Sequence, residues 1–134
     1  MSNPVSVRFR VDFGPRCSIG IGKVELLEGI ARTGSLSQAA RQMRMSYRRA
    51  WLLLADLNTS FDEPVARTTT GGSGGGGAVL TPFGKRLVES YRRLESGLRP
   101  LTKRCMAGAA SRVIAHRAAT GVHPASIRRK PKSD

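Results

Sequence analysis

The sequence predicts a mainly α-helical fold with a small β-sheet. Three observations carry that prediction. Apolar residues recur at helical spacing in successive segments between Val24 and Leu98. The second and third of these segments are short and separated by a tight turn. Between the third and fourth, Val65–Thr70 and Ala78–Thr81 flank Gly71–Gly77, a seven-residue tract with six glycines, and read as a hairpin.

Taken in order, Val5, Val7, Phe9, Val11 and Phe13 alternate with polar residues. That period of two predicts a half-buried strand, ended by Gly14-Pro15. Val24, Leu27, Ile30 and Ala31 predict the first helix, with Gly34 as its C-terminal stop. Ser35 and Gln38 have the spacing of a capping box, in which each side chain satisfies the other residue's backbone N–H. The second helix follows, with Leu36, Ala39, Ala40 and Met43 on one side. Its paired alanines allow another helix to approach closely. Ser46 caps the third helix. Tyr47, Ala50, Trp51, Leu54 and Leu57 fall on one face of it and are expected to form core, with Arg48, Arg49 and Leu52 on another.

Two short helices, a tight turn and a basic start to the second helix form a helix-turn-helix pattern. A plain helical hairpin would share the spacing. Arg48 and Arg49, however, stand near a helix N-terminus, where positive charge opposes the macrodipole. Helix stability alone does not favour them there. The hairpin that follows reads as a wing, and the N-terminal strand could extend its sheet. A flexible linker between two domains is the alternative, weakened because a single helix follows. Thr81-Pro82 opens that fourth helix. Phe83, Leu87, Tyr91, Leu94 and Leu98 give it a near-heptad stripe, suited to packing on its own domain, to a dimer seam, or to each along different lengths. The predicted fold is thus a winged helix-turn-helix with a long C-terminal dimerisation helix, over residues 1–98.

Charge narrows the partners. The 134 residues hold 23 Lys and Arg against 9 Asp and Glu, a formal net charge of +14. That favours an acidic partner, nucleic acid or an anionic surface. Residues 99–134 read as a basic, mobile tail, with a short helix around Lys103–Ala119 as one option and a phosphate-binding role favoured over a solubilising one. Aromatic residues make up only 5% of the chain, against a sheet that stacks single-stranded bases. No apolar run approaches the roughly 18 residues of a membrane helix, and no signal-peptide core follows Met1. Cys17 and Cys105 are isolated and suit a reducing cytosol. A cytoplasmic chain with no membrane partner is expected.

Enzyme-like patterns fail on context. The glycine tract matches both G-x-G-x-x-G and G-x-S-x-G. The first must open a helix after a strand, and the second needs a strained strand-to-helix turn with a histidine base. A strand follows here, and His116 and His123 lie in the tail. Dispersed Cys and His residues make no zinc site. No catalytic residue, metal or cofactor is expected.

Gly22–Glu95 resembles the N-terminal DNA-binding domain of the molybdate-responsive, ModE-type regulators and, more distantly, the LysR-type domain. The matching residues include Leu26-Leu27, Gly34-Ser35-Leu36-Ser37-Gln38-Ala39-Ala40, Ser46-Tyr47-Arg48, Ala50-Trp51 and Leu57-Asn58. They continue through the glycine tract, Ala78-Val79-Leu80-Thr81, Gly84, Leu87 and Tyr91. The resemblance implies a winged helix-turn-helix, a homodimer joined largely through its helices, and a partly palindromic operator. Molybdate-sensing members carry C-terminal oxyanion-binding domains. Only the basic tail follows here, so no molybdate-binding domain and no tight molybdate binding are expected. Leu52 stands where the family often has an acidic residue, which predicts a different operator preference.

The expected function is that of a sequence-specific, double-stranded DNA-binding transcription regulator. Arg48 and Arg49 are candidates for guanine or phosphate contacts on the third helix, alongside Ser46 and Leu52. Ser37 and Gln38 should meet backbone phosphate. Arg67, Thr69, Thr70, Ser73 and the wing glycines should approach phosphate or the minor groove. Phe83, Leu87, Tyr91, Leu94 and Leu98 are the expected dimer interface. A non-specific architectural nucleic-acid-binding protein and a winged-helix protein-interaction module are the alternatives.

Overall fold

Glycine and short polar residues punctuate the chain where it changes direction. A computed structural model describes residues 4–69 and 77–114. Thr70, Ser73, most of the glycine tract, and the tail beyond Ile114 lie outside the described residues. Strand β1 is Arg10–Asp12 and strand β2 is Ser18–Gly20, paired antiparallel. Gly14 reverses the chain between them at φ +76°, and the Phe13 N–H closes the turn on the Cys17 carbonyl at 2.7 Å. Helix α1 is Ile21–Thr33, α2 Leu36–Gln42 and α3 Tyr47–Ser60. Strands β3, Ala66–Thr68, and β4, Ala78–Leu80, pair antiparallel with Arg67 opposite Val79. Helix α4 is Pro82–Ala110.

The β-structure differs from expectation in one respect. The N-terminal strand does not join the wing: among the described residues there are two separate two-stranded sheets. The partner of β1 is β2, a three-residue strand with a single buried side chain, Ile19. Such a segment is too short to show a period in sequence. Only Arg10–Asp12 of the alternating Val5–Phe13 segment pairs as strand.

The caps follow the sequence more closely. Gly34 takes the left-handed conformation at φ +69° and its N–H returns to the Ile30 carbonyl at 2.8 Å. The Ser35 hydroxyl accepts from the Gln38 N–H at 3.2 Å. The reciprocal half of the capping box is absent, because the Ser35 N–H is already bonded to the Thr33 hydroxyl at 3.2 Å. The Ser46 hydroxyl accepts from the Arg49 N–H at 3.1 Å. Thr81 caps α4 by accepting from the Gly84 N–H at 3.0 Å while donating to the Pro64 carbonyl at 2.7 Å.

The unit Val7–Leu98 is compact. Its main core joins Leu26, Leu27 and Ile30 of α1, Leu36, Ala39 and Ala40 of α2, and Ala50, Leu54 and Leu57 of α3. Val65, Ala66, Ala78 and Leu80 add the base of the wing. Ala31, expected inside, is exposed, and Leu26 takes its place. A β-carbon added to Gly29 would sit 3.0 Å from that of Ala39. The close approach of α1 and α2 thus uses a glycine on one helix and an alanine on the other. Gly84 is constrained more tightly still, since a β-carbon there would strike the Val65 carbonyl.

A second cluster packs Ile19, Val24 and Tyr91, with Phe9 and Val11 against them. The Tyr91 ring stacks on Phe9 with centroids 4.5 Å apart, and its hydroxyl donates to the Phe9 carbonyl at 2.9 Å. Beside it, the Arg92 guanidinium ties α4 to α1 through Glu28 at 2.6 Å and also holds Glu95 at 2.9 Å. The hydrogen bond to Glu28 is the main cause holding the Arg92 proton more firmly than usual. Helix α4 also outruns the stripe that ends at Leu98. It continues through Pro100, which has no N–H to offer the Ser96 carbonyl. The segment Lys103–Ala110, expected as the start of a short separate helix, belongs to α4. In the second compact unit, Pro4, Val5 and Ser6 line a shallow hollow with Met106, Ala109, Ala110 and Val113.

Candidate nucleic-acid interface

The chain between α2 and α3 is short because backbone bonds close it at once. The Met43 N–H returns to the Ala39 and Ala40 carbonyls, and the Met45 N–H to Ala40 at 3.0 Å. Arg44 accommodates the bend in the left-handed region, at φ +55°. Ser46 is extended at φ −67°, ψ 153°, and α3 begins one residue later. The two helices and turn therefore have the helix-turn-helix arrangement, with the start of α3 exposed.

Arg48 and Arg49 occupy that first turn. Both are exposed, and neither has an ion-pair partner among the described residues. The one acidic residue of α3, Asp56, lies two turns further on and is engaged by Lys23 at 2.8 Å. Positive charge is thus left unneutralised at the N-terminal end of α3. Ser37 and Gln38 are exposed on the first turn of α2, and Arg67 and Thr69 on the wing. The wing is anchored to the helical unit twice. The Ala78 N–H donates to the Gly34 carbonyl at 2.9 Å. The Asn58 side chain, near the end of α3, accepts from Val65 N–H at 2.8 Å and donates to the Ala66 carbonyl at 3.2 Å. Thr70 and Ser73, expected at the wing tip, lie outside the described residues.

Two expectations for α3 are corrected. Tyr47 and Trp51 are 56% and 51% exposed, not core. The buried face is centred on Ala50, Leu54 and Leu57. At 3.6 residues per turn, Trp51 lies about 100° around the helix from Ala50. Identical apolarity on neighbouring positions hid that margin. Sequence reasoning missed Arg41 and Arg44, both exposed beside the turn. Basic residues at positions 41, 44 and 48, bracketing the turn, were the available signal.

The stripe on α4 divides. Phe83 packs edge-on to Phe61 at 5.2 Å, Leu87 joins the core, and Tyr91 is 4% exposed. Tyr91 therefore packs within its own domain, the first of the two roles expected of the stripe. Leu94 is 43% exposed and Leu98 half-buried. Among the described residues, no group of three or more His, Cys, Asp or Glu side chains could hold a metal ion, and no helix is long and apolar enough to cross a membrane.

Comparison with known proteins agrees with this geometry. Residues 21–85 match the family described as bacterial regulatory helix-turn-helix protein, lysR family. The molybdenum-pterin-binding protein MopB of Rhodobacter capsulatus is 43% identical over 83 residues, covering 62% of this chain and 31% of MopB. The molybdenum transport protein ModE of Azotobacter vinelandii is 36% identical over 88 residues, 66% of this chain and 33% of that protein. The DNA-binding transcriptional dual regulator ModE of Escherichia coli is 42% identical over 69 residues, 52% of this chain and 26% of that one. The chain thus spans about a third or less of the length of these curated relatives. The matching family is described as regulatory, and the Escherichia coli relative as a DNA-binding transcriptional regulator. With its capped α3, its tight turn and its wing, the chain is similar over residues 21–85 to the bacterial regulatory helix-turn-helix proteins of the lysR family, and over a comparable stretch to ModE of Escherichia coli.

Proposed function

We propose that this chain is a sequence-specific double-stranded DNA-binding transcription regulator that acts as a homodimer. One observation carries the reading: α3 presents Arg48 and Arg49, exposed and without ion-pair partners among the described residues, on a capped first turn. In a helix-turn-helix, that turn meets base edges in the major groove, where a guanidinium pairs with guanine through two hydrogen bonds. Ser37 and Gln38 on α2, and Arg67, Thr69, Thr70 and Ser73 on the wing, then approach the phosphate backbone. Ser46 and Leu52 lie beside the arginines. The dimer forms through α4, where Leu94 offers exposed apolar surface, and the operator is partly palindromic, matching two-fold symmetry.

Sites selected by the chain from random duplex DNA provide the test. Arg48→Ala and Arg49→Ala should each weaken operator binding, at least one by about 1–3 kcal/mol with relaxed base preference. Unchanged affinity in both would overturn the assignment of α3. The net charge of +14 favours a second reading, non-specific binding of nucleic acid. That reading requires equal competition by selected and random DNA at fixed salt.

A further inference from the structure

The apolar margin of α3 is unexplained by folding. Trp51 and Leu52 are 51% and 50% exposed, and Tyr47 56%. Neither the Tyr47 hydroxyl nor the Trp51 indole has a hydrogen-bond partner among the described residues. Exposed singly, such side chains need no account. Here they are grouped around one cation. Trp51 and Leu52 stand three and four positions after Arg48, so both lie one turn along the helix on its face. The surrounding charge fits a polyanion, since Arg41, Arg44 and Arg49 are also exposed and have no ion-pair partner among the described residues. A major groove supplies phosphates for that charge. It also supplies one apolar group on a base edge, the C5-methyl of thymine.

We infer that Trp51 and Leu52 form a methyl-reading surface that selects thymine beside the base pair contacted by Arg48. This rests on the proposed role of α3 as the DNA-reading helix. The spacing limits where the thymine lies. One helical turn advances about 5.4 Å and a base pair about 3.4 Å, so the favoured thymine is one or two pairs from the guanine. Burying the methyl between an indole and an isobutyl group removes apolar surface from water on both partners. A polar side chain at position 52 would offer no such gain.

The test uses the whole chain and a duplex selected from random DNA, prepared with either thymine or uracil, which differs by that methyl alone. Binding is followed by fluorescence anisotropy at fixed salt. Replacing thymine by uracil should weaken the parent chain about fourfold for each methyl buried. Leu52→Ala and Trp51→Ala should bind the thymine duplex less well and lose little more on the uracil duplex. Equal binding of both duplexes by the parent chain overturns the inference while leaving sequence-specific binding intact. It is also overturned if both variants keep the parent's full thymine-to-uracil ratio, since the side chains then act elsewhere. Enrichment of no sequence over random DNA would instead overturn the proposed function on which the inference rests.

Discussion

Asn58 joins the end of α3 to the wing through three bonds from one side chain. Its carbonyl oxygen accepts from the Val65 and Ala66 N–H groups, and its amide donates to the Ala66 carbonyl. Val65 and Ala66 are both buried, so these backbone groups have poor access to water. Asn58→Ala should therefore destabilise the fold by roughly 2 kcal/mol or more, read from urea unfolding, because buried backbone donors are left unsatisfied. Asn58→Asp keeps the acceptor and loses the donor, and should fall between. Leu57-Asn58 is recognisable in sequence as part of the family pattern. Its bonding is not, because both partners lie across a chain reversal.

Among the elements, α2 depends most on its cap. With seven residues it makes few internal bonds, and the Ser35 hydroxyl satisfies one of its unpaired N–H groups. Ser35→Ala should cost about 1 kcal/mol, seen as a lower melting temperature. The β1–β2 hairpin depends instead on Tyr91 of α4, through ring stacking on Phe9 and the bond to its carbonyl. Burial is the main cause raising the Tyr91 phenol above its usual 10.0. A raised folded-state value means that the protonated form is the one favoured by the fold. Its contribution is complete below about pH 10 and lost as pH rises above it. Chemical unfolding between about pH 9 and 11 should show stability falling more steeply in the parent than in Tyr91→Phe. The phenylalanine variant should be less stable at neutral pH by about 1 kcal/mol.

For the whole molecule, charge distribution matters more than any single interaction. Residues 96–134 carry nine basic side chains and one acidic, and five of the nine, Arg117, Arg128, Arg129, Lys130 and Lys132, lie beyond Ile114. Helix α4 ends at Ala110, so truncation after Ile114 spares it and removes those five cations. The shortened chain should fold. It should bind selected and random DNA more weakly by a similar factor, since interactions with phosphate carry no direct sequence information. The slope of log K against log salt should become shallower by about 0.9 for each phosphate that the shortened chain no longer neutralises. An unchanged slope would make these residues a solubilising appendage.

Local chemistry was sufficient for the sequence to determine α1, α2, α3 and the wing by itself. Their boundaries rest on Gly34, Ser35, Ser46 and Thr81, residues whose backbone preferences or hydroxyls act on their immediate neighbours. The helix-turn-helix and the exposed arginines of α3 were legible for the same reason. The tertiary structure alone decided what long-range packing controls. It paired β1 with β2 instead of the wing, and drew Tyr91 into the domain against Phe9. It also left Tyr47 and Trp51 outside the core. Periodicity shows that a face is apolar; only the position of the neighbouring helices decides how much of that face is covered. The buried strip of α3 is narrow, Ala50, Leu54 and Leu57 with Leu53 partly buried beside them, and the aromatic margin is left facing water.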